Sequence, residues 1–211
     1  MKAGKRFVLA ALFPAVFLFA QTAGQPEGAD FEVLQNRSGG VTILNYQGAA
    51  AAVNIPEHIG GRQVTVIGAR AFYRRGLTMV NIPAAVTAIA YEAFAENELA
   101  AIALPPALAS IEYGAFSGNK LGEVVLPESL SSVGVRSFAG NGITALTIPE
   151  RVTYIGVDAF AGNSLQRITM GARRNVFPTQ GFDLSFVNYY GSTGKKAGVY
   201  TRRDRVWTLE E

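Results

Sequence analysis

The stretch Leu99-x-x-Ile102-x-Leu104-Pro105-x-x-Leu108-x-x-Ile111-x-x-x-Ala115-Phe116-x-x-Asn119-x-Leu121 decides how this chain folds. Phe116 belongs to a column, Phe72, Phe94, Phe116, Phe138, Phe160 and Phe182, in which each member follows the last by 22 residues. Pro83, Pro105, Pro127 and Pro149 keep the same interval, and Pro56 precedes the first of them by 27. Ile67, Ile89, Ile111, Val133 and Ile155 form a further column, as do Leu77, Leu99, Leu121, Ile143 and Leu165, and Asn97, Asn119, Asn141 and Asn163. Several independent columns in one register mark an internal repeat.

Within one unit, residues 102 and 104 alternate, so they share one side of a short strand while 101 and 103 face outward. Pro105 has no N–H to donate and suits the strand's end. Leu108 and Ile111 turn the chain back toward the same interior, and Phe116 fills the volume left. Each coil thus points about six apolar side chains inward, too few to bury alone, so coils must stack and join their strands into parallel ladders about 4.8 Å apart. A buried amide at the bend can bond backbone groups left unpaired there, which makes the Asn column a structural ladder. The fold expected is a solenoid, predominantly β, with short parallel strands, turns or 3-10 segments, 22-residue coils and hairpin-like caps at both ends.

The ends depart from the pattern, because terminal coils must not expose apolar faces. Phe31 to Leu34 and Val41 to Tyr46 flank Asn36-Arg37-Ser38-Gly39-Gly40 and predict a capping hairpin. The first coil carries five extra residues around His58-Ile59-Gly60-Gly61-Arg62. Beyond Met170 come Phe177, Phe182, Phe186, Tyr189, Tyr190, Tyr200 and Trp207, with Val199–Thr201 and Val206–Thr208 predicted as paired strands around Arg203-Asp204. The organisation expected is a signal peptide over 1–23, an amino-terminal cap over 24–52, repeats over 53–170 and an aromatic cap over 171–211.

Basic Lys2, Lys5 and Arg6, an apolar run from Phe7 to Ala20 and the small or polar Gln21 to Gly24 have the three-part layout of a secretory signal. The run holds 14 residues and Pro14, short of the roughly 20 that span a bilayer. Export to the periplasm, the outer surface or the medium is therefore expected, without stable membrane insertion after cleavage. Those three cations are also the whole charge excess, since the remaining chain holds 16 basic and 16 acidic residues. A nucleic-acid partner is not expected.

The string Leu146-Thr147-Ile148-Pro149-Glu150-Arg151-Val152-Thr153-Tyr154-Ile155-Gly156-Val157-Asp158-Ala159-Phe160 resembles the BspA-like, or Treponema pallidum-type, leucine-rich repeat. The match runs over about residues 41 to 170. Two departures are visible, a 22-residue coil where 23 is usual and Asn where Cys is common at the bend. The resemblance implies an exported bacterial protein that binds other macromolecules, host-matrix proteins among them, and leaves the ligand unassigned.

The residues that the repeat does not use offer few groups for catalysis. The chain has no Cys and a single His, His58, which removes thiolate nucleophiles, disulfides and multi-histidine metal centres. No Gly-x-Ser-x-Gly elbow accompanies His58. The carboxylates Glu92, Glu96, Glu98, Glu112, Glu123 and Glu128 fall in different columns, as exposed charges do. Gly191-Ser192-Thr193-Gly194-Lys195-Lys196 lacks the spacer and the hydroxyl residue of a phosphate loop. No catalytic residue, metal site or cofactor is expected.

Binding falls to the outward strand positions, which a stack presents as columns on one surface. One column is Met79, Ala101, Glu123, Ala145 and Arg167, and its neighbour is Asn81, Ala103, Val125, Thr147 and Thr169. Charge varies along the chain, with 8 acidic and 3 basic residues in 77–165 against 4 and 8 in 166–211. The function expected is non-catalytic interaction with a macromolecule, a protein partner first, as in adhesion. The alternatives are a self-associating envelope component and a carbohydrate binder that stacks sugars on the terminal Tyr and Trp rings.

Overall fold

The computed structural model describes residues 28–171, 182, 184–193 and 196–210. The segment read as a secretory signal, Phe177 and Gly194-Lys195 lie outside the described residues.

The first elements are the hairpin β1 (Phe31–Gln35) and β2 (Val41–Tyr46), which pair antiparallel as the sequence predicts. The enlarged first coil supplies β3 (Ala52–Asn54), β4 (His58–Ile59) and β5 (Arg62–Ile67). Its five additional residues form a tight β4–β5 hairpin turning at Gly60 and Gly61, both at positive φ, which leaves His58 exposed. The regular coils follow with β6 (Met79–Asn81), β7 (Ala88–Ile89), β8 (Ser110–Ile111), β9 (Glu123–Val125), β10 (Ser132–Val133), β11 (Ala145–Ile148), β12 (Tyr154–Ile155) and β13 (Arg167–Met170). Helix α1 (Leu184–Ser192) and the hairpin β14 (Gly198–Arg203) and β15 (Val206–Glu210) complete the chain.

Each coil lays down two ladders. One is an eight-stranded sheet ordered β1-β2-β5-β7-β8-β10-β12, with β4 beside β5, whose inward residues are Ile67, Ile89, Ile111, Val133 and Ile155. The other flank is split into β3-β6 and the five-stranded β15-β14-β13-β11-β9. The sequence assigns strand to 102–104 and only a return turn to 108–111; the structure reverses this, because Ser110–Ile111 is paired on both sides and Ala101–Leu104 is not strand. Alanines at 100, 101 and 103 favour strand poorly, and the Pro105-Pro106 pair, which no other coil has, offers two residues without N–H groups. The coils still touch there, through Lys120 N–H donating to Leu99 C=O at 3.0 Å and Gly122 N–H to Ala100 C=O at 3.4 Å.

The interior is a stack of rings. Phe94, Phe116, Phe138 and Phe160 succeed one another at 5.3, 5.3 and 5.5 Å between centroids with planes within 9°. Phe72 lies 4.9 Å before Phe94, and Phe182 lies 5.3 Å after Phe160. This spacing follows from the strand separation, and offset rings at such distances attract beyond their area burial. Tyr46 covers the first ring at 5.4 Å, and Phe186 meets the last edge-on at 5.1 Å, so both caps continue the column.

The Asn ladder staples each coil to the one before it. Asn97 Oδ1 accepts from the N–H groups of Arg75 and Leu77 at 3.0 Å each, and its amide donates to the carbonyls of Phe72 and Phe94 at 2.8 and 2.9 Å. Asn119, Asn141 and Asn163 repeat the arrangement. Just before each Ala-Phe or Ser-Phe pair the backbone enters the left-handed region, at Arg70, Glu92, Gly114, Arg136 and Asp158. Neighbouring charges in that column pair across coils, Arg70 with Glu92 at 2.7 Å and Arg136 with Asp158 at 3.7 Å. At Gly134 and Gly156 a Cβ would overlap the backbone of the preceding coil, at Glu112 and at Val135, which accounts for glycine there.

One buried position breaks its column. Ala71, Ala93, Ala115 and Ala159 are joined by Ser137, fully buried, whose hydroxyl has no hydrogen-bond partner among the described residues. Desolvating a hydroxyl without a partner costs free energy that a methyl does not. Ser137→Ala is expected to stabilise the protein by about 1 kcal/mol, read as a higher urea midpoint at unchanged m.

Candidate interaction face

The ten outward strand residues do not form one unbroken sheet. Met79 and Asn81 lie on β6, opposite Ala52 and Asn54 of β3. Ala101 and Ala103 are exposed on the segment that is not strand. Glu123, Val125, Ala145, Thr147, Arg167 and Thr169 come together on β9, β11 and β13, in the registers Glu123↔Ala145↔Arg167 and Val125↔Thr147↔Thr169. The continuous surface expected from the repeat is therefore interrupted at the third coil and intact over the last three.

That intact part is longer than the repeat alone implies. β14 adds antiparallel to β13, pairing Arg167 with Thr201 and Thr169 with Val199, and β15 carries the rows on to Thr208 and Glu210. The outer face of the five-stranded sheet thus has one row of Glu123, Ala145, Arg167, Thr201 and Thr208, and a second of Val125, Thr147, Thr169, Val199 and Glu210. Arg167 and Glu210 pair diagonally across it at 3.8 Å, and the Thr201 and Thr208 hydroxyls bond at 3.2 Å. Repeat spacing cannot reveal the four added residues, since β14 and β15 lie outside the period.

Most of the described aromatic rings of the carboxyl-terminal segment are buried. Tyr200 and Phe186 are fully buried, and Tyr190 and Trp207 are each only 2% exposed. Phe186 sits edge-on between Tyr200 at 5.5 Å and Trp207 at 5.0 Å. Burial raises the phenols of Tyr190 and Tyr200 above the ordinary tyrosine range, and Tyr200 Oη donates to Lys196 C=O at 2.6 Å. These four rings seal the last coil, so Tyr190, Tyr200 and Trp207 do not offer their faces for stacking on a sugar, while Tyr189 is half-buried. The sequence also leaves α1 unread, although Phe182, Phe186, Tyr189 and Tyr190 recur at helical intervals.

A second column of exposed residues lies outside the expected face. The column Ala69, Tyr91, Tyr113, Val135 and Val157 faces outward beside the eight-stranded sheet, with Tyr91 and Tyr113 stacked at 5.2 Å and 11°. The Arg70 guanidinium lies 5.3 Å over the Tyr91 ring. Both faces of Tyr91 are therefore occupied, by Tyr113 and by Arg70.

Among the described residues no three His, Cys, Asp or Glu side chains converge as metal ligands, and no helix is long and apolar enough to cross a membrane. The BspA type leucine rich repeat region matches this chain in six copies over residues 65–186. A solved leucine-rich repeat protein of T. pallidum is 30% identical, with 68% of this chain and 70% of that one covered and a TM-score of 0.63. One from Bacteroides ovatus is also 30% identical, over 70% of this chain and 41% of that chain, with a TM-score of 0.59. The pneumococcal vaccine antigen PcpA shares the fold at 19% identity, over 67% of this chain and 48% of its own, with a TM-score of 0.50. No curated protein matches the chain.

Proposed function

The chain belongs to the BspA-type leucine-rich repeat family, and from that premise we propose that it is an exported, non-catalytic protein that binds a protein partner through the outer face of the β9-β11-β13-β14-β15 sheet. The observation that supports this reading most is the pairing of β14 and β15 onto the last coil, which widens a three-strand face to five over a rigid ring stack. A preformed surface loses little conformational freedom on binding, so modest contacts add over its area. Export is supported by the layout of Met1 to Gly24 and by the family's surface and secreted members.

Photo-crosslinking on intact cells tests both halves. A photoreactive residue at Val125 or Thr147 is expected to capture a discrete protein, and added protease is expected to cut the chain. The same residue at Thr87 or Ser131, exposed just before β7 and β10 of the opposite ladder, is expected to capture none. Capture confined to the opposite ladder, or complete protection from protease together with no capture at Val125, would sink the reading.

A further inference from the structure

We propose that the outer face of the five-stranded sheet is also a self-association surface, on which two copies of this chain pack sheet to sheet about a two-fold axis. The inference shares that face with the proposed function but not its partner.

Val125 at 69% and Val206 at 61% are the most exposed large apolar side chains among the described residues. They stand at opposite ends of one sheet, Val125 on β9 and Val206 on β15. They also stand on one face. Val124 is buried between Glu123 and Val125, so those two point outward, and the row from Glu123 runs through Ala145 and Arg167 to Thr201 and Thr208. Arg203 and Val206, paired with each other, lie two residues beyond Thr201 and Thr208 and therefore share their side.

The surroundings of the two valines are complementary in charge. Glu123 flanks Val125, whereas Arg203 and Arg205 flank Val206, with Asp204 between them leaving that corner at a net +1. Among the described residues neither Arg203 nor Arg205 has an ion-pair partner. Asp204 and Arg205 form the two-residue turn at φ 49° and 69°, the tight hairpin geometry that strongly prefers glycine at its second position. The charges at the centre of the face, Arg167 and Glu210, already neutralise each other.

Two sites on a roughly flat face are always exchanged by a two-fold axis lying in that face along the perpendicular bisector of the line between them. One such rotation sets the Arg203, Arg205 and Val206 corner of each copy on the Glu123 and Val125 corner of the other. The contact is satisfied twice and closes on itself, so it yields a dimer and not a filament. Between the corners lie the small Ala145, Thr147, Thr169, Thr201 and Thr208, with the Arg167–Glu210 ion pair standing among them. Five strands about 4.8 Å apart span roughly 20 Å, and strands of three to six residues at about 3.3 Å each make the face roughly 200–400 Å², below the about 800 Å² per partner of a standard interface. The dimer is therefore weak and sensitive to salt, and a protein partner on the same face competes with it.

Sedimentation velocity on the purified chain tests this up to about 1 mM, where a millimolar contact is half populated. A dimer is expected at about 20 mM salt and its dissociation at about 500 mM. Arg203→Glu with Arg205→Glu, and separately Glu123→Arg, are expected to weaken it about tenfold or more, and the three changes together to restore it. All three positions are exposed, and an unchanged circular dichroism spectrum confirms folding. A monomer at every concentration in low salt, or a dimer indifferent to these changes and to Val125→Asp, overturns the proposal. Binding to phosphatidylserine vesicles that requires Arg203 and Arg205, with no dimer, also overturns it and gives the cationic corner to an anionic surface. Protein capture at Val125 without a dimer overturns this inference alone.

Discussion

Phe116→Ala is expected to destabilise the protein by about 3–5 kcal/mol, the range for emptying a buried phenylalanine site. The ring is fully buried, with Phe94 and Phe138 each 5.3 Å away. Main chain bonded to both neighbouring coils surrounds it: Phe116 N–H donates to Ser137 C=O at 2.7 Å, and Phe94 N–H donates to Ala115 C=O at 2.8 Å. Those bonds prevent collapse into the cavity. In a quasi-one-dimensional stack a mid-array loss weakens two interfaces, so fraying is expected to spread from this coil. Urea unfolding measures the total, and native-state hydrogen exchange should show the amides of β8 and β10 losing protection before those of β1 and β2. An effect below about 1 kcal/mol, the size of a surface change, would remove the ring stack as the principal support of the fold.

Asn119→Ala is expected to cost about 2–4 kcal/mol by a different route, since little volume is lost and several polar groups are orphaned. Asn119 Oδ1 accepts from Leu99 N–H at 3.1 Å, and its Nδ2 donates to the carbonyls of Phe94 and Phe116 at 2.9 and 3.1 Å. The side chain is only 6% exposed, so water cannot replace these bonds without opening the bend. Asn119→Asp separates hydrogen bonding from shape. Its carboxylate keeps the bond from Leu99 but faces two carbonyl oxygens, which disfavours the charged form and raises the folded-state pKa. Stability conferred by the protonated acid is present at low pH and is lost as pH rises through that pKa. Thermal melts of this variant are expected to improve on acidification relative to the wild type. A pH-independent difference would remove the carbonyl contacts from the account.

The stack itself was legible because each coil repeats the same demand. Columns such as Phe72 to Phe160 and Asn97 to Asn163 can be buried and bonded together only if equivalent residues lie one above another, so a period of 22 implies the register. The capping hairpins were legible from local turn chemistry, Asn36 to Gly40 at one end and, at the other, a turn expected at Arg203-Asp204 that the structure places one residue later, at Asp204-Arg205. Helix α1 was not, because Phe182 continues the 22-residue column and the helix is built of Ser, Val, Asn, Tyr and Gly, which favour helix poorly. The candidate face was half legible: Glu123, Val125, Ala145, Thr147, Arg167 and Thr169 assemble as their columns imply, whereas Ala101 and Ala103 drop out of the ladder.

By itself, then, the order of residues determined the coil, the direction of stacking and the membership of the dry interior, all of which depend on side-chain polarity repeated at a constant interval. Tertiary structure alone decided which flank carries the unbroken ladder, that Trp207 and Tyr200 are sealed away from solvent, and that Val125 and Val206 share one face. Those outcomes turn on which N–H finds which C=O in the next coil and on what covers a ring once the last coil closes, and neither partner is adjacent in the chain.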